Sequence, residues 1–288
     1  MHHRGTDTLQ PPAGRAYGAP CRGGLEPVRG RGVVTAPTGP ADRAAELAGA
    51  LTATRERIAR ACAASGRAPD SVALIAVTKY FPASDAAMLA RAGATDLGES
   101  REQEAGPKAA DCARLLAGDG EGDAVAAPRW HMVGRLQRNK ARAVARWAHA
   151  VHSVDSVRLA HALARAAASA LDAGERTSPL EVYLQVSIDG DPARGGVPAA
   201  GLDELADQVA AAESVRLAGL MAVAPRQAGP DAAFARLAGI RESFTTRHPQ
   251  AAGLSAGMSS DLESAIAHGS TCVRVGTAIM GARPIVSP

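Results

Sequence analysis

From Asp42 to Val275 the chain alternates strand-like and helix-like segments, and this alternation is the tightest constraint on its fold. It opens with a helical stretch in which Leu47, Leu51, Ile58 and Cys62 recur at near-helical spacing. Eight strand segments follow: Val72–Thr78, Asp96–Gly98, His131–Gly134, Ala150–Val154, Leu180–Ser187, Leu217–Val223, Ala252–Ser255 and Val273–Val275. Between them lie helical segments at Ser84–Ala92, Arg101–Leu116, Asn139–Ala148, Val157–Ala173, Gly201–Ala212, Asp231–His248 and Ser259–His268. Pro107 is expected to break or kink the second of these. Strands that alternate with helices form a parallel α/β sheet, and eight such units over this length point to a (β/α)8 TIM barrel. A doubly wound open sheet is the alternative. About a dozen residues follow the last strand, so a second domain after the barrel is not expected.

Two domains of organisation are expected. Residues 1–40, rich in Gly, Pro and Arg and without periodicity, are expected to be a disordered arm, and residues 41–288 the barrel. The Arg29-Gly30-Arg31-Gly32 repeat is a weak RNA signal beside the simpler reading of a solvated tail. A hydrophobic content of 46% suffices for a core, and an aromatic content of 3% makes it a core of Ala, Val and Leu. The formal net charge of +3 gives no argument for nucleic acid. Cys21, Cys62, Cys112 and Cys272 are scattered without a CxxC pair, as expected of free thiols in a reducing compartment. With no apolar run long enough to span a bilayer and no secretory h-region, the chain is expected to be cytoplasmic.

In a barrel the residues just after each strand share one face, and that face does chemistry. Lys79 follows the apolar run Ala73–Thr78, where an apolar floor would disfavour its charged form and free an amine for a Schiff base; by itself it could also be a surface lysine. After strands seven and eight come Gly257-Met258-Ser259-Ser260-Asp261 and Gly276-Thr277, amide and hydroxyl donors in the usual barrel phosphate position, although each turn alone could be an ordinary cap. Asp261 sits in a first helical turn, where a carboxylate suits the dipole. Arg274 lies within strand eight and must find an acceptor: a neighbouring acid, or the ring nitrogen of a heteroaromatic cofactor. His131, His152 and His161 do not share an element, and no metal site is expected from them. Asn139-Lys140 caps a helix, with Lys140 and Arg135 as weak anion contacts. Met221 and Met258 are pocket-lining residues.

Taken in order, eight motifs carry a resemblance: Ala76-Val77-Thr78-Lys79, Gly98-Glu99, Trp130–Lys140, His152–Ser156, Leu184–Ser187, Gly219–Ala222, Leu254–Asp261 and Arg274–Gly281. Over roughly residues 45 to 284 the chain strongly resembles the pyridoxal phosphate homeostasis protein family, single-barrel relatives of the alanine racemase N-terminal domain. The resemblance implies a fold-type III barrel that binds pyridoxal 5′-phosphate (PLP) by a Schiff base to Lys79. It implies a phosphate held by Ser259 and the Gly276-Thr277 turn with Ser260 nearby, Arg274 beside the pyridine nitrogen, and Met221 lining the ring. The family usually carries Gly-Glu-Asn and an aromatic residue where this chain has Gly98-Glu99-Ser100-Arg101, and often has a different residue at Arg135.

A Schiff-base lysine alone does not make a racemase, which needs a base on each face. Of the three tyrosines, Tyr17 falls in the arm, Tyr183 lies inside a strand, and alternation along a continuing strand would turn Tyr80 away from the face of Lys79. The expected function is therefore a non-catalytic PLP carrier, with no catalytic residue assigned. It would act on PLP and on the apo-enzymes that receive it, as a monomer, with no nucleic-acid or membrane partner. A slow PLP-dependent amino-acid racemase is the alternative, and RNA association through the arm a third.

Overall fold

The computed structural model describes residues 39–118, 125–191, 194–225 and 229–282. These fall within one compact unit, Pro37–Pro288. The residues expected to form the disordered arm, up to position 38, lie outside the described residues, as does Cys21.

Helix α1 (Pro40–Ala64) begins two residues before Asp42, because Pro40 supplies a preset φ at its first position. Its buried stripe includes Leu47, Leu51, Ile58 and Cys62. Eight parallel strands follow and close on themselves: β1 (Ala73–Val77), β2 (Asp96–Glu99), β3 (Arg129–Met132), β4 (Ala150–Val154), β5 (Leu180–Gln185), β6 (Val215–Met221), β7 (Gly253–Ser255) and β8 (Cys272–Val275). Closure is made by β8 against β1, with Ile75 opposite Arg274 and Ala76 opposite Val275. The barrel is therefore the fold, and the open sheet is excluded. Between the strands lie α2 (Ala83–Arg91), α3 (Glu102–Ala117), α4 (Ala141–Trp147), α5 (Val157–Asp172), α6 (Leu202–Ala210), α7 (Pro230–Arg247) and α8 (Leu262–Ala267), and α9 (Thr277–Met280) ends the series.

Some boundaries differ from expectation for identifiable reasons. Strand β3 starts two residues early, since Arg129 reaches across to the Asp96 carboxylate on β2. Segment 138–140 is a separate 3-10 turn ahead of α4. Residues 259–261 form a turn rather than the start of α8, and Asp261 accepts the Met258 N–H at 2.6 Å instead of continuing the helix. Helix α3 runs through Pro107. The carbonyl that loses its partner belongs to Gln103, one turn earlier, and both residues are exposed, so the missing bond costs less here than it would in a buried helix.

Two apolar layers hold helices to the barrel. One joins Leu163, Leu184, Leu205, Leu220, Phe234 and their neighbours. The other joins α1 and α2 to Leu97, Trp130, Val273 and Ile279. Inside the barrel the filling changes. Ile75, Val77 and Cys272 cluster with Val133, and a Cβ on Gly98 would come within 2.8 Å of Ile75 Cγ2, so only glycine leaves that space. Beside them the interior buries polar and charged side chains: Asp96, His131, His152, Ser255 and Arg274.

Candidate functional site

That polar interior forms a hydrogen-bonded series. Asp96 Oδ1 lies 2.8 Å from His131 Nε2, His131 Nδ1 lies 3.0 Å from His152 Nε2, and His152 Nδ1 lies 2.9 Å from Ser255 Oγ. Arg274 Nη1 donates to the same Ser255 Oγ at 2.6 Å, and Nη2 to the Ala222 carbonyl at 2.9 Å. Burial works against the charge on Asp96, but hydrogen bonds from His131 and Arg129 outweigh it and hold the carboxyl well below its usual range. Burial pushes the imidazoles of His131 and His152 down, so both rings are neutral near pH 7. These two conditions set every tautomer. His131 Nε2–H donates to ionised Asp96, so its Nδ1 accepts from His152 Nε2–H. His152 Nδ1 then accepts from Ser255, whose oxygen remains free to accept from Arg274. Tyr183 stacks on His152 with ring centroids 4.4 Å apart, and burial raises its phenol far above the ordinary value.

His131 and His152 thus meet, although their separation in sequence gave no sign of it. Their nitrogens are spent on each other, Asp96 and Ser255, and His161 instead faces Gln208. No group of three or more His, Cys, Asp or Glu among the described residues is arranged to hold a metal. Arg274 has no carboxylate within ion-pair distance among the described residues, so its acceptors are an alcohol and a carbonyl rather than the neighbouring acid considered above. Burial lowers its pKa, partly offset by Cys272 and Asp261.

Above this series lies a pocket of about 760 Å3 at the carboxyl ends of the strands. It brings together Lys79, Ser259, Ser260, Arg274, Gly276 and Thr277, six of the seven candidate residues. Met221, 2% exposed at the end of β6, is outside the lining, whereas Met258 is in it. Ser259 Oγ accepts the Ala278 N–H at 3.4 Å, tying the turn after β7 to the first turn of α9. Gly257, with φ +96° and room for no Cβ beside Ala265 (2.7 Å), shapes the first of these turns.

Lys79 stands two residues beyond β1 in a turn closed by Phe81 N–H to the Thr78 carbonyl at 3.1 Å. Tyr80, at φ 71°, occupies the position where a type II turn requires a positive φ. Because the strand stops at Val77, alternation does not apply. Tyr80 lines the same pocket, and Lys79 Nζ sits 5.9 Å from its ring centroid. The expectation that Tyr80 turns away is thereby corrected. Thr78 is fixed from below. Its hydroxyl donates to Glu99 Oε1 at 2.7 Å, and buried Lys108 donates to Glu99 Oε1 at 2.6 Å and to the Thr78 carbonyl at 3.0 Å. Glu99 and Lys108 were not foreseen as supports of Lys79. Lys108 shares the buried face of α3 with Ala105 and Cys112, and a lysine at that spacing was a readable signal of a buried partner.

The pocket fits PLP. It holds a lysine with no carboxylate partner among the described residues, hydroxyls and amides on two glycine turns, and an arginine held by neutral acceptors. These are the donor types that an aldehyde, a phosphate and an unprotonated ring nitrogen require.

The fold and this constellation define a class: residues 50–284 match the alanine racemase N-terminal domain. The chain is 50% identical over 250 residues to the pyridoxal phosphate homeostasis protein of Mycobacterium bovis, covering 86% of this chain and 96% of that one. It is 36% identical over 245 residues to the Escherichia coli protein of the same name, covering 83% and 97%. The structure of PipY from Synechococcus elongatus PCC7942 with PLP bound superposes with a TM-score of 0.67 at 33% identity, covering 82% of this chain and all of PipY. The chain belongs to the pyridoxal phosphate homeostasis protein family.

Proposed function

We propose that this protein binds PLP at Lys79, keeps it sequestered and releases it to apo-enzymes. When bound, PLP supplies an aldehyde that an amine can attach to reversibly with loss of water. Lys79 Nζ would supply the amine, on a turn fixed by Thr78, Glu99 and Lys108. Ser259, Ser260, Gly276 and Thr277 would hold the phosphate. Arg274, which only donates, would face the ring nitrogen and keep it free of a proton. Met221, buried beyond the lining, would support the ring from a distance. The convergence of Lys79, the two hydroxyl turns and Arg274 in one pocket carries this reading. The names of the relatives and the PLP-bound PipY support it. The proposed organisation is an N-terminal arm and a barrel from residue 41.

The protein is proposed to work in the cytoplasm as a monomer. Cys62, Cys112 and Cys272 are buried free thiols, and burial raises Cys112 and pushes Cys272 up to about 12, which suits inert residues in a reducing compartment. No helix among the described residues is long and apolar enough to cross a membrane.

The test is the absorption spectrum of the full chain after incubation with PLP, followed by borohydride and peptide mapping. A PLP band that reduction fixes onto Lys79 is expected. A colourless, unlabelled protein, or label elsewhere, overturns the assignment. One observation favours a second reading, slow racemisation: Tyr80 shares the pocket with Lys79. It predicts exchange of amino-acid α-protons in deuterium oxide that Tyr80→Phe abolishes; a carrier shows almost none.

A further inference from the structure

A second pocket, of about 750 Å3, opens on the same barrel face but is walled by the loops after β2, β3 and β4. Its lining contains Arg101, Arg135, Arg138, Lys140 and Arg158 against the carboxylates of Glu102 and Asp155. Arg101 pairs with Glu104 at 2.9 Å and Lys140 with Glu102 at 3.4 Å. The exposed side chains of Arg135, Arg138 and Arg158 have no hydrogen-bond or ion-pair partner among the described residues. Arg57, Arg129, Arg146, Arg216 and Arg247 are each held by a carboxylate, whereas Arg142, Arg165 and Arg236 likewise have no side-chain partner among the described residues; what sets this pocket apart is that three such guanidinium groups line one cavity.

Arg158 is the more informative of the three. It occupies the first turn of α5, a helix of 16 residues with no acidic residue in that turn. The helix end carries partial positive charge, so a cation there is locally unfavourable unless an anion lies between them. Asp155, the nearest acid in sequence, is turned toward the β5–α6 loop: a Cβ on Gly195 would sit 3.3 Å from its Oδ2. The floor is apolar, with Leu136 and Leu159 buried. Planar guanidinium forks above an apolar floor suit phosphate or carboxylate groups bidentately. A cavity of about 750 Å3 is the size of a small-molecule site, and a net charge of only +3 gives no argument for a nucleic acid.

We propose that this groove is a second ligand site, for a small molecule carrying a phosphate or paired carboxylates, beside and separate from the Lys79 pocket. Inorganic pyrophosphate and citrate are the probes, titrated calorimetrically into the full chain without PLP, so the outcome does not depend on whether Lys79 carries a cofactor. The double variant Arg135→Ala/Arg138→Ala is expected to bind at least tenfold more weakly, Arg158→Ala several-fold more weakly, and Arg138→Lys in between. Ser259→Ala/Thr277→Val should leave this binding unchanged, and the arginine variants should take up PLP normally. The proposal is overturned by absence of saturable binding, by equal affinity in the double variant, or by loss in the Ser259 variant instead, which would place the anion in the hydroxyl turns. Tighter binding of a short RNA than of either probe also overturns it.

Discussion

The mouth of this barrel is divided. On one side the loops after β7, β8 and β1 surround Lys79 with hydroxyls, backbone amides and one buried arginine. On the other side the loops after β2, β3 and β4 present guanidinium groups, three of them without a side-chain partner among the described residues. Ser100 lines both pockets. The partition is a backbone contact: a Cβ on Gly134 would come within 2.2 Å of the Ser100 carbonyl oxygen, and Ser153 Oγ holds the Gly134 carbonyl at 2.6 Å. One side meets negative charge with neutral dipoles fixed in place, and the other with full charges on long side chains. Fixed dipoles discriminate by geometry and lose little to salt, whereas exposed charges attract at a distance and are screened.

The sharpest way to break this comparison is Lys79→Ala. It should abolish borohydride-fixed PLP entirely while leaving pyrophosphate affinity in the arginine groove as it was, measured by mass mapping and calorimetry together. A loss on both sides would mean that the pockets are one site. Next comes the buried series below the Lys79 pocket, which has no counterpart among the charges of the groove. Asp96→Asn leaves His131 facing an amide and is expected to destabilise the fold by about 3 kcal/mol in urea denaturation. A change within the error of the wild-type midpoint would remove Asp96 as the anchor of that series. Gly134→Ala forces the septum apart and should cost about 2 kcal/mol, loosening both sites at once. If only one site responds, the wall does not define both.

Salt separates the two sides more gently. Between about 0.02 and about 0.5 M salt, pyrophosphate affinity in the groove should fall roughly tenfold or more, while PLP uptake changes far less. Equal slopes would contradict the division into dipoles and charges. The smallest effect concerns pH. His131 and His152 have folded pKa values below those of the unfolded chain, so the unfolded state binds the extra protons first. Stability is therefore full above about pH 7 and declines as pH falls through about 6.5, the unfolded value. Asp96, with a depressed pKa, keeps its contribution until far lower pH. His152→Gln should flatten the first decline in thermal melts taken across this range. An unchanged slope would show that His152 is not the neutral buried ring it is taken to be.

Much of this protein is written locally. The period of apolar residues marks Leu47 to Cys62 as a helix and Ala73 to Val77 as a buried strand. Eight repeats of that alternation leave a closed parallel barrel as the economical arrangement. Lys79 after one strand, Ser259 and Ser260 after another, and Gly276-Thr277 after the last are legible because chain order within a barrel places strand ends on one face. Tertiary structure alone decided the rest. Asp96, His131, His152, Ser255 and Arg274 come from five strands, and only closure brings their side chains into one hydrogen-bonded series. Tyr80 enters the pocket because its turn departs from strand geometry, and Lys108 supports Lys79 because α3 lays it beneath Thr78. Met221 drops out of the lining although it ends a strand. The arginine groove is set by three loops that bring Arg135, Arg138 and Arg158 to one cavity where no carboxylate among the described residues reaches them. Periodicity reports what each residue does relative to its own backbone; these contacts depend on residues far apart in the chain, which meet only when the sheet closes.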